Sequence, residues 1–162
     1  MQVIEYQELK DYYEYITLEI DLHNIFASQA SQVMLKGGMR FDEVGGPGWT
    51  HDGENLRLLP RKGNDARIFG YADLPTFFSN PIYAGEEYNR AISYTTYINA
   101  FRNTRPYEIF VGKKELIAHG YRHLYARTLI QEGQTFEQAR QKMGEKTMAS
   151  AIIYLSGTIY RM

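Results

Sequence analysis

The chain contains no cysteine. That excludes disulfide staples, cysteine-ligated zinc and thiol catalysis, and it leaves the compartment open. No apolar run approaches the roughly 18 residues that a membrane-spanning helix needs, so no membrane partner is expected. The N-terminus is acidic and rich in tyrosine, which is not the pattern of a signal peptide, and the expected location is therefore the cytoplasm. Neither sign of charge dominates: the formal net charge is −1, which taken as a sum argues against a nucleic-acid partner.

The distribution of charge says more than the sum. Residues 1–21 hold six acids and one base, so the rest of the chain is net positive. Basic residues recur at Arg57, Arg61, Lys62 and Arg67, and again at Arg102, Arg105, Lys113 and Lys114. Such groups suit a track for phosphates, although a solvated surface of mixed sign would look the same.

A length of 162 residues suits one domain with a sizeable core. There is no internal repeat, low-complexity tract or interdomain linker. Ile4, Leu9, Tyr12, Tyr13 and Ile16 give Met1 to Tyr15 an imperfect helical stripe. The many tyrosines there read as packing residues with polar rims. Asp21 is placed to cap a second helix, which Gly37-Gly38 ends, leaving Arg40 directly after the break. Asp42-Glu43-Val44 reads as a short helical turn.

Trp49–His51, Leu56–Leu59 and Ala66–Phe69 read as strands joined by turns at Asp52-Gly53 and Lys62–Asp65. Helical patterns resume at Glu86–Phe101 and Lys114–Gln131. Thr135 with Gln138 forms a capping box for the next helix, which Gly144 closes, and Thr147–Tyr160 is the last. The fold class expected is mainly α with a small antiparallel β-sheet (α+β).

The chemistry concentrates in Ala118-His119-Gly120-Tyr121-Arg122-His123-Leu124-Tyr125-Ala126. A spacing of three puts His119 and Arg122 on one helix face. Arginine is a fixed cationic fork suited to phosphate, and histidine exchanges protons near neutral pH. Downstream, Tyr154 offers a hydroxyl nucleophile on an apolar helix. Taken alone, the pair reads more readily as a helix start with a surface arginine.

Four segments in order resemble the boxes of the tyrosine recombinase (phage integrase) family. Lys36-Gly37-Gly38-Met39-Arg40-Phe41-Asp42-Glu43-Val44 is similar to the family's first arginine box, and Lys62-Gly63-Asn64-Asp65-Ala66-Arg67 to its lysine hairpin. His119-Gly120-Tyr121-Arg122 is similar to its His-x-x-Arg box, and Ile152-Ile153-Tyr154 to the segment carrying its nucleophile, 32 residues beyond Arg122. The resemblance covers about Gln32 to Tyr160. It implies an integrase-like DNA breaking–rejoining catalytic core occupying residues 1–162, with the N-terminal DNA-binding domain of relatives absent from this chain. Type IB topoisomerases share the phosphotyrosine logic but would carry lysine at the His119 position.

The implied activity is site-specific strand exchange that integrates or excises a mobile element. Its partner is double-stranded DNA, with a tetrameric synapse formed on it, and no cofactor or metal is implied. By the same resemblance Arg40 and Arg122 hold the scissile phosphate, His119 handles the tyrosyl proton, Lys62 protonates the leaving 5′ oxygen, and Tyr154 attacks. Glu145 departs from the pattern, standing in Met143-Gly144-Glu145 where relatives have His or Trp after Leu-Gly. A carboxylate beside a phosphate repels it unless protonated or paired, with Lys146 and Arg122 at hand as partners. The alternative is a catalytically weakened DNA-binding remnant or regulator on the same fold. The tail from Leu155 to Met162 is short for a segment that relatives often pass to a neighbouring protomer.

Overall fold

The computed structural model describes residues 2–20, 25–41, 49–51, 55–58, 67–70, 93–109, 118–155 and 160–161. Among them, helices do most of the building. Helix α1 (Tyr6–Ile20) buries Leu9, Tyr12, Tyr13, Ile16, Thr17 and Ile20, a stripe at the three- and four-residue spacing that keeps side chains on one face. It begins five residues later than the expected Met1–Tyr15 helix and runs five residues further. Gln2–Val3 (β1) precedes it as extended chain.

Helix α2 (Ile25–Gly37) packs on α1. It ends at the glycine pair, as its sequence expects. Gly38 takes a φ of 64° and its N–H donates to the Met34 carbonyl at 2.9 Å. The predicted cap at Asp21 and the turn at Asp42–Val44 lie outside the described residues, as does the start of the predicted Glu86–Phe101 helix.

What is described of that last region is α3 (Tyr94–Arg102), capped by the Ser93 hydroxyl, which accepts from the Thr96 N–H at 3.1 Å. The short α4 (Arg105–Ile109) follows, its first N–H taken by the Glu19 carboxylate of α1 at 2.8 Å.

Helix α5 (Gly120–Gln131) is the axle of the molecule. Its Tyr121 and Leu124 join a core built from α1, α2 and α3, while Ala126 and Leu129 join a second cluster with Ala139, Met143, Ala151, Tyr154 and Leu155. The second cluster belongs to α6 (Phe136–Met143) and α7 (Met148–Leu155). Helix α6 opens on the capping box read from the sequence: Thr135 accepts from the Gln138 N–H, and the Gln138 side chain accepts in return. It closes at Gly144 in the left-handed conformation, φ 73°. The Thr147 hydroxyl accepts from the Ser150 N–H at the start of α7.

The expected α+β class is corrected. The described residues are mostly helical. Among the described residues extended chain forms brief pairings, Trp49–His51 (β2) with Asn55–Leu58 (β3) and β3 with Arg67–Gly70 (β4). Pairings of three or four residues are brief beside helices of up to 15 residues, and helix sets the class of the described residues. The final helix is also corrected. Its pattern was expected to reach Tyr160, but α7 stops at Leu155, and Tyr160–Arg161 (β5) pairs antiparallel with β1.

Among the described residues no helix is long and apolar enough to cross a membrane.

Candidate functional site

Five of the six residues singled out in the sequence meet where the C-terminal end of α2, the N-terminal end of α5, the α6–α7 turn and α7 converge. Lys62 lies outside the described residues.

His119 stands at the N-cap of α5 with helical dihedrals, and its side chain makes no cap hydrogen bond. It reaches Tyr154 instead, with Nε2 2.6 Å from the Tyr154 hydroxyl. Tyr154 is brought there by the geometry of α7, whose buried face is Ala151, Tyr154 and Leu155. Its neighbours Ile152 and Ile153 face outward. The Arg122 guanidinium carbon lies 5.1 Å from the centre of the Tyr154 ring. One turn of α5 therefore applies a base and a cation to a single phenol.

Arg122 is wholly buried, a state that arginine tolerates only when its donors are met. Nη1 donates to the Gly38 carbonyl at 2.7 Å, and Nη2 donates to the Met143 carbonyl at 2.9 Å and to Glu145 Oε1 at 2.7 Å. Its Nε is buried without a hydrogen-bond partner. Two helix ends supply those carbonyls. The Gly38 carbonyl is within reach because α2 ends tightly against α5. A β-carbon on Gly38 would collide with the Tyr125 ring, and its backbone is left-handed besides. The Met143 carbonyl is one of the groups left over at the end of α6.

Glu145 occupies the point between the two arginines. Its Oε1 accepts from Arg40 Nη2 and from Arg122 Nη2, each at 2.7 Å. The carboxylate is almost fully buried, and Arg40 is mostly covered. Gly144 makes the placement possible: its left-handed turn returns the chain so that the Glu145 N–H meets the Arg140 carbonyl at 3.2 Å. Arg140 Nη1 then holds the Glu145 carbonyl at 2.7 Å. Of the two partners suggested by the sequence, Arg122 is the one engaged, with Arg40 as the second cation; Lys146 is exposed.

These charges set the titration of the site. Burial raises the Glu145 carboxyl, but the hydrogen bond and charge of Arg122, with help from Ser150 and Arg40, outweigh it and hold the group below the ordinary carboxylate value. Burial raises the Tyr154 phenol. Arg122 and Arg40 pull it down, Glu145 pushes it up, and the balance stays above the ordinary tyrosine value. Tyr154 is thus a neutral phenol at pH 7 and needs a base to attack anything.

His123 belongs to this site and was given no role in the sequence. Its ring lies 4.8 Å from the Tyr154 ring and 5.8 Å from that of His119. Burial, then His119, Arg122 and Arg127, push its pKa down to about 4, so it is a neutral ring. Its Nδ1 is buried without a hydrogen-bond partner. The signal was present: position 123 is four beyond His119 and so falls on the face that 119 and 122 share. The parts played by Gly38 and by the Met143 carbonyl had no such signal, because both act through backbone atoms.

Comparison with family models and with curated proteins finds no match to this chain.

Proposed function

We propose that this chain cleaves and rejoins DNA strands through a 3′-phosphotyrosine intermediate, and so integrates or excises a mobile element. The observation that carries the reading is the Tyr154 hydroxyl at 2.6 Å from His119 Nε2, with the Arg122 guanidinium against the same ring. The resemblance of the four sequence segments to tyrosine recombinases points the same way.

The chemistry runs as follows. The unprotonated His119 Nε2 accepts the Tyr154 proton as the phenolic oxygen attacks phosphorus. Arg40 and Arg122 take the non-bridging oxygens, whose charge grows in the transition state. The bond from phosphorus to the 5′ oxygen breaks, and Lys62 supplies the proton that the leaving alkoxide needs. The DNA is left with a free 5′ hydroxyl and a 3′ phosphate esterified to Tyr154. Attack by another 5′ hydroxyl reverses the steps and restores the tyrosine. The ester conserves the bond energy, so the cycle consumes no nucleotide. The partner in this reading is double-stranded DNA, bound by a self-associated tetramer, in the cytoplasm.

One observation favours a second reading. Glu145 already neutralises part of the arginine pair, which would suit a DNA-binding regulator with weakened chemistry. A suicide substrate, nicked so that the cleaved 5′ fragment diffuses away, separates the two. Strand exchange predicts a covalent adduct whose mass maps to Tyr154 and is lost in Tyr154→Phe while DNA binding persists. Binding without any adduct would leave the regulator reading, and an adduct on Tyr160 would overturn the assignment of the nucleophile.

A further inference from the structure

We propose that the Glu145 carboxylate is a resident substitute for the scissile phosphate, and that a phosphodiester enters the Arg40–Arg122 clamp by displacing it. This rests on the strand-exchange reading for the identity of the natural ligand. The displacement itself is a property of the two arginines and the carboxylate.

The geometry carries it. A single oxygen, Oε1, accepts from both guanidinium groups at 2.7 Å. That is where an anion bridging the two forks must put an oxygen. Arg122 cannot be the member that moves, because carbonyls from two different helix ends, Gly38 and Met143, hold its terminal nitrogens. The main chain at Glu145 cannot easily move either, since Arg140 bonds its carbonyl and the Gly144 turn bonds its N–H. What remains is rotation of the Glu145 side chain, which needs no change in backbone.

Charge permits the exchange. Two guanidinium groups and one carboxylate leave one unit of positive charge; so do the same groups with one phosphodiester in place of the carboxylate. The incoming ligand also brings two non-bridging oxygens to the two forks, where Glu145 gives them Oε1 alone. The buried Arg122 Nε, which has no hydrogen-bond partner, is a donor that the carboxylate leaves unmet. The cost of the exchange is exposing Glu145, and it would make the clamp selective. Weakly held anions lose to the resident carboxylate, whereas a phosphate anchored along a duplex does not.

The test titrates inorganic phosphate into wild type, Glu145→Gln and Glu145→Asp at constant ionic strength, without DNA. Glutamine keeps an acceptor oxygen but no charge, and aspartate withdraws the charge by one methylene. Each folded variant is expected to bind phosphate at least ten-fold more tightly than wild type. Arg40→Lys in the Glu145→Gln background should erase the gain. Equal affinities in wild type and variants would overturn the proposal. So would failure of both variants to fold, which would make Glu145 a structural counter-ion. The nicked-DNA assay on the same proteins tells this failure from the other. Tighter phosphate binding with no adduct in any variant would sink strand exchange and keep the displaceable carboxylate. Wild-type adducts with unchanged phosphate affinity would do the reverse.

Discussion

Tyr121 and Tyr154 are both buried, both touch the α5 axle, and they have opposite electrostatic surroundings. Tyr121 faces the aromatic core, its ring centre 4.4 Å from that of Tyr13 and its hydroxyl 2.8 Å from the Thr17 hydroxyl. Burial pushes its pKa up to about 12, with hydrogen bonds from Ser31, Thr17 and Tyr97 as weaker downward influences. Nothing cationic is among the causes. Tyr97 is alike: burial raises it first and its neighbouring tyrosine adds to the rise, while its hydroxyl is shared with Ser31 at 2.7 Å. Tyr154 is raised by burial too, but two guanidinium groups oppose the rise and a histidine nitrogen receives its hydroxyl. Burial alone therefore makes a tyrosine a packing residue. A base and a cation on the same ring are what set Tyr154 apart from Tyr121 and Tyr97.

The sharpest way to break the comparison is to exchange the fates of the two phenols. Tyr154→Phe should abolish covalent adducts with DNA altogether. Tyr121→Phe should leave adduct formation intact and cost about 1 kcal/mol of stability, the typical worth of one hydrogen bond, as read from denaturant midpoints. Adducts that survive in the first variant and vanish in the second would reverse the roles.

Lys62 extends the same logic to the leaving group. Lys62→Ala should slow cleavage of ordinary DNA by roughly 10²–10⁴, the usual range for losing a general acid. A substrate with sulfur at the bridging 5′ position departs without a proton and should restore most of that rate, yet give Tyr154→Phe no help. If sulfur brings Lys62→Ala no advantage, Lys113 and Lys114 become the candidates.

The arginines come next in size. Arg40→Lys and Arg122→Lys keep charge near Tyr154 but lose the planar fork, and single-turnover cleavage should fall by at least about ten-fold, equivalent to roughly 1.4 kcal/mol. Wild-type rates in both would make the pair structural. At Arg122 a drop in stability should accompany the loss, because lysine cannot reach the Gly38 and Met143 carbonyls and Glu145 together.

The smallest effect expected is one of pH. The Glu145 carboxyl titrates below its ordinary value of 4.5 in the folded chain, so its contribution to stability is fully present above that value. It is lost as pH falls through the lowered folded value. Wild type should lose stability against Glu145→Gln only in that acid window, and a difference that stays constant below pH 4.5 would refute the ion pair as its source.

Much of this site was legible because it is local. His119, Arg122 and His123 share a face at spacings set by helix geometry, and Gly38 and Gly144 announce helix ends through the conformations they permit. Thr135 and Gln138 announce a helix start in the same way. The extent of the last helix was misread. Met148 to Leu155 is apolar enough to suggest continuation, but Tyr160 is drawn into pairing with Val3, a partner at the other end of the chain. The weight given to the strands was misread for a related reason: three or four alternating residues reveal a pairing and not how much helix surrounds it.

The amino-acid order by itself determined the glycine-marked ends of α2 and α6 and the capped start of α6, which residues share the face of α5, and that a tyrosine follows at a distance suited to meeting them. Only the tertiary structure decided what those residues hold. That Arg122 binds the ends of two other helices, that Glu145 joins Arg40 to Arg122 rather than to Lys146, and that Tyr154 rather than Tyr121 receives both base and cation all depend on contacts between distant segments. Capping and periodicity act over three or four residues and are written in the chain. Burial and field are sums over everything nearby, and they exist only once the helices have packed.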